Sequence, residues 1–109
     1  MTQRKGPRQG DVLVAPRDKP FTGQRVAPVK GKLILAEGEH TGHHHWVEAT
    51  PNVAMFDNGV DTVLSVMEHA VPLSHQEHTA VPISIGDSDV IRQRRVMPGS
   101  EHLVRTVTD

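Results

Sequence analysis

Proline and glycine interrupt this chain too often for long helices. Eight prolines, from Pro7 to Pro98, and nine glycines divide the 109 residues into short runs. The runs between them are rich in Val, Ile and Leu, and several alternate apolar and polar residues, as half-buried strands do. QGDVLVAP (9–16) reads as a strand stopped by Pro16, and 17–31 as a loop or broken edge strand. KLILAEGE (32–39) and TGHHHWVEAT (41–50) read as a hairpin, and AMFDNGVDTVLSV (54–66) as a second, turning at Asp57-Asn58-Gly59. Residues 67–85 contain Pro72 and Pro82, so short strands joined by a loop are expected, with one helical turn at Ser74–His78 capped by Ser74. DVIRQRRVM (89–97) and HLVRTVTD (102–109) complete the set. The expected fold is all-β: a small single-domain barrel or sandwich of about seven or eight short strands. Residues 1–8 read as a flexible basic arm, and residues 9–109 as the β domain.

Composition makes the core thin. Phe21, Trp46 and Phe56 are the only aromatic residues, so Val, Leu and Ile must fill the interior, with Trp46 expected as its largest contributor. Such a core invites completion by a metal ion or by other subunits. There is no cysteine, which excludes disulfides, thiolate zinc sites and thiol nucleophiles. The opening MTQRKGPRQG has no apolar stretch after its charges, and no run reaches membrane-spanning length. No secretory signal and no membrane partner are therefore expected, and the place of residence is the cytoplasm, or the virion for a phage-borne protein.

Charge is segregated beneath a net charge of -1. Residues 1–32 carry eight Lys or Arg against Asp11 and Asp18. Residues 33–91 carry nine acids and no Lys or Arg, and residues 92–109 carry four Arg against Glu101 and Asp109. Seven of the eight histidines lie in the acidic middle, where carboxylates favour imidazole basicity and divalent cations. The simpler reading is charge complementarity between strands.

The histidines form two clusters. In Glu37-Gly38-Glu39-His40-Thr41-Gly42-His43-His44-His45, strand alternation puts His43 and His45 on one face and turns His44 away with Trp46 and Glu48. A His-x-His pair on a strand can place two ring nitrogens ~2.0–2.1 Å from one zinc. In Ser74-His75-Gln76-Glu77-His78, a tight turn aligns His75 and His78. Two plus two gives the four ligands zinc takes, so His43, His45, His75 and His78 are the candidate metal ligands and zinc the candidate cofactor. Glu37, Glu39 and Glu77 are candidates for orienting the rings by hydrogen bonds. His40 and His69 are lesser candidates, and His102 reads as structural or exposed. The competing reading of GHHHW is a hydrated turn.

No phosphate-binding loop, nucleophile elbow or dinucleotide fingerprint is present, and no serine has a nucleophile's setting. Any catalysis would fall to the metal as Lewis acid or water activator. Arg92, Arg94 and Arg95 with Arg4, Lys5 and Arg8 could touch phosphates, but no aromatics interleave them, which argues against a nucleic-acid partner. The basic ends suit the acidic middle of a neighbouring copy better. That gives a homo-oligomer joined through the arm, and an alternative role as an assembly protein such as a phage or shell decoration module.

QGDVLVAP, LILAEGEHTGHHH, LSHQEHTAVPI and VIRQRRVMP, with a closing Arg-x-Val-x-Asp at Arg105 to Asp109, resemble a set of small uncharacterised bacterial and phage-borne proteins. The resemblance runs from Gln9 to Asp109, and its recurring histidines fall on His43, His45, His75 and His78. It departs at Val96, where an aromatic is usual, and at Ile85-Gly86, where Pro-x-Gly is usual. It implies no activity. His43 and His45 are also similar to the paired strand histidines of cupins, although the glutamate that follows there would fall too early, at Glu48. A metal-dependent, cupin-like enzyme is the third reading.

Overall fold

The computed structural model describes residues 4–37, 42–92, 94–96 and 104–106. Strands β1 (Arg8–Gln9), β2 (Val12–Pro16), β10 (Gly86–Arg92), β7 (Thr62–Val66), β6 (Val53–Asp57) and β3 (Gln24–Arg25) form a six-stranded sheet in that order. Strands β4 (Lys32–Glu37), β5 (His44–Glu48), β8 (Val71–His75) and β9 (Val81–Ile83) form a four-stranded sheet. A separate ribbon pairs β11 (Arg94–Val96) with β12 (Val104–Thr106). All pairings are antiparallel, and there is no helix among the described residues. The two sheets keep free edges, so the architecture is a sandwich and not a closed barrel. The strand count exceeds seven or eight because the proline-bearing stretches fold as two- and three-residue pieces.

The chain lays its hairpins alternately in the two sheets. The β4–β5 hairpin enters the small sheet, β6–β7 the large one, β8–β9 the small one, and β10 returns to the large one. The β6–β7 turn is held as its sequence requires: Gly59 takes φ +91°, Asp57 Oδ1 accepts the Gly59 N–H, and Asn58 Oδ1 accepts those of Val60 and Asp61. The β4–β5 pairing runs from Lys32 opposite Glu48 to Glu37 opposite His44, with a bulge between Ile34 and Ala36.

Val12, Val14, Val53, Met55, Leu64 and Val66 of the large sheet meet Leu33, Val47, Val71, Leu73 and Ile83 of the small one. The core is aliphatic, with each fully buried Val, Leu or Ile worth roughly 1.5–3 kcal/mol. Trp46 is not in it. Because His45 and Val47 point inward, alternation sends Trp46 to the outer face, where the Lys32 ammonium lies 4.2 Å from its ring centre. Phe21 and Phe56 are also only partly buried.

Residues 4–9 run along β2. The Pro7 carbonyl accepts the Val14 N–H at 2.9 Å, and Gly6 lies so near the Val14 carbonyl that a Cβ would fall on it. Arg4 and Arg17 each reach an oxygen of Asp89 at 2.6 Å. Burial pushes the Asp89 carboxyl up, but the hydrogen bonds and charges of the two guanidiniums outweigh it and hold the group below its ordinary 3.8. With the folded value lowered, this contribution is complete above 3.8 and is lost as pH falls through the folded value. Asp89→Asn is expected to lower stability at neutral pH by about 2 kcal/mol. Urea titrations should show wild type and variant converging in acid; a difference that persists there would contradict the assignment.

Candidate functional site

The two histidine clusters meet because β5 and β8 are neighbours. Their register sets His45 directly opposite His75 and Trp46 opposite Ser74. Gln76 extends the join beyond β8: its Oε1 accepts the His44 N–H and its Nε2 donates to the Gly42 carbonyl, both at 2.9 Å, so the backbone on both sides of His43 is held. His75 is the hub of the resulting group. Its ring centre lies 4.5 Å from that of His45, 4.6 Å from His78 and 5.6 Å from His43. His45 and His78 are nearly parallel at 6.0 Å. His44 faces the other way, 5.0 Å from Trp46, as strand alternation requires.

No helical turn follows Ser74. The strand continues through His75, and the His75 ring does the capping itself: Nδ1 accepts the N–H groups of Glu77 at 2.9 Å and His78 at 3.3 Å. In the neutral ring the proton therefore sits on Nε2.

His45 is fully buried, and its ring is oriented by Gln9, a residue the sequence reading passed over. The Gln9 amide donates from Nε2 to the carbonyls of Leu73 and Thr79 at 2.9 and 3.0 Å, which leaves Oε1 to accept from His45 Nδ1–H at 2.9 Å. In the neutral ring Nε2 then carries the lone pair, the arrangement typical of a ligating histidine. Facing Nε2 at 3.6 Å is Oδ1 of Asp11, from the turn between β1 and β2. Asp11 is 1% exposed, and its Oδ2 accepts from Arg92 Nε at 2.9 Å.

Asp11 and Arg92 were also missed as site residues. The available signal was the clustering of polar residues inside otherwise strand-like motifs, Gln9-Gly10-Asp11 and Arg92-Gln93-Arg94. Of the orienting carboxylates, Glu77 brings Oε1 to 3.9 Å from His43 Nδ1. Glu37 ends β4 exposed, opposite outward-facing His44. His69 is exposed in the β7–β8 loop, where Asn52 holds its backbone. Glu39, His40 and His102 lie outside the described residues.

As they stand, no three of the described His, Asp or Glu side chains form a set that could hold a metal ion. The rings are gathered without converging on one point. Nor is any described helix long and apolar enough to cross a membrane.

No curated protein and no solved structure matches this chain. The profile of a domain of unknown function, DUF8820, matches residues 8–93, a span that takes in Gln9, Asp11, all four clustered histidines and Arg92. The chain belongs to the DUF8820 family.

Proposed function

We propose that this protein binds one divalent transition-metal ion, zinc first, at the histidine group between its sheets. The observation that carries this reading is the spacing of the rings. Imidazoles sharing one tetrahedral ion at ~2.0–2.1 Å have centres about 5 Å apart; the His45 and His78 rings stand 6.0 Å apart, and the ring of His75, packed among the ligands, lies 4.5, 4.6 and 5.6 Å from those of His45, His78 and His43.

His45 and His78 are the first ligands we assign. His45 has its Nδ1 proton committed to Gln9, and His78 Nε2 is buried with no hydrogen-bond partner among the described residues. His43 is the third, with Glu77 beside its Nδ1. His75, with Nδ1 engaged by two backbone N–H groups, holds the turn that carries His78. When bound, the ion supplies a cross-strand clamp, and binding only to the folded state raises stability with free-ion concentration. The assembly reading has less support, since Arg4 of the basic arm is engaged by Asp89 of its own chain.

Protein purified without an affinity tag is expected to contain close to one equivalent of metal by elemental analysis. Chelation should lower its melting temperature, and added zinc should restore it. Metal-free protein whose melting curve ignores zinc, cobalt and iron(II) would refute this function.

A further inference from the structure

We propose that Asp11 is the anionic ligand of that ion, which therefore joins the two sheets of the sandwich; this rests on the metal-binding reading above. Asp11 lies in the turn that joins β1 and β2 of the large sheet, whereas His43, His45 and His78 belong to the small sheet or border it. Its carboxylate is divided between two tasks. Oδ2 is held by Arg92 Nε at 2.9 Å. Oδ1 is buried, accepts no hydrogen bond among the described residues, and faces His45 Nε2 at 3.6 Å.

With Nδ1–H donated to Gln9, a neutral His45 ring would turn a lone pair toward a carboxylate oxygen. Two acceptors that close, both out of water, repel unless a cation lies between them. Two donor atoms bound at ~2.0–2.1 Å to one tetrahedral ion stand roughly 3.3 Å apart, so the observed gap needs to close by only a few tenths of an ångström. Of the three assigned imidazoles, His45 is the one that reaches Asp11; with His43 and His78 turned to the same ion, the four positions of a structural zinc would be filled. Arg92 acts as a positioning residue, holding Oδ2 so that Oδ1 faces the ring. The competing cation is a proton on Nε2, which would make the contact an ordinary buried ion pair.

The test compares tag-free wild type with Asp11→Asn, which keeps the shape and removes the charge. Zinc affinity is read by competition with a chromophoric chelator, and the coordination sphere by the visible spectrum of the cobalt(II)-loaded protein. Asp11→Asn is expected to bind zinc at least 10-fold more weakly and to lose the zinc-dependent rise in melting temperature. Equal affinity and an unchanged cobalt spectrum would overturn the role of Asp11 while leaving the metal site standing. Absence of metal binding in wild type, with nitrogen NMR showing His45 protonated at Nε2, would overturn both. Should Asp11→Asn fail to fold, cadmium-loaded wild type decides. A cadmium NMR shift in the range of mixed oxygen and nitrogen ligands supports the inference, and a shift in the all-nitrogen range overturns it.

Discussion

His45→Ala is expected to lower the free energy of unfolding by about 3 kcal/mol, a drop of about 15 °C in melting temperature for a domain of this size. Three losses combine. A fully buried ring is removed from between the sheets, which leaves a cavity. Gln9 Oε1 loses the N–H it accepts, and the ion proposed between the ring and Asp11 Oδ1 loses a ligand. Added zinc should no longer raise the melting temperature. His44→Ala, one residue away on the outer face, is expected to cost less than about 1 kcal/mol. Calorimetry of the two variants side by side checks the contrast, and similar losses at both positions would refute the inward and outward assignment.

Leu64→Ala is expected to be as severe, at about 3–4 kcal/mol. Leu64 is fully buried in β7, one of the inner strands of the large sheet, opposite Met55 of β6 and Ser88 of β10. The core has no aromatic ring to move into the gap. A domain of this length has a total stability of roughly 5–15 kcal/mol, so the variant should unfold at a much lower urea concentration with an unchanged slope. Val60→Ser, at a position 89% exposed, should leave the midpoint within error. A small effect at Leu64 would mean that the two sheets do not close over this residue.

Local patterns were legible in the sequence where one strand or one turn decides the outcome. The alternation through His43, His44 and His45 follows from strand pleating alone. The turn at Asp57-Asn58-Gly59 follows from its own hydrogen-bonding chemistry. Ser74 was expected to cap a helical turn because local spacing favours one. Strand pairing with β5 instead carries the chain straight to His75, whose ring captures the same kind of N–H group. Trp46 was assigned to the core on size, but its place in the alternation sends it outward. Asp11 and Arg92 could not be placed from sequence, because only the pairing of β2 with β10 brings them to the site, 81 residues apart along the chain. Gln9 was hidden for the same reason: its three partners lie on strands and loops from the other sheet.

The alternate placement of hairpins also bears on when the histidine group exists. Strands β5 and β8 are separated in the chain by the whole β6–β7 hairpin, which belongs to the other sheet. Pairing them closes that intervening loop at a cost in chain entropy, so the histidine group exists only where the chain has folded back on itself and is absent from locally structured unfolded chains. Anything that needs both strands to bind therefore discriminates against unfolded chains and shifts the balance toward the finished fold.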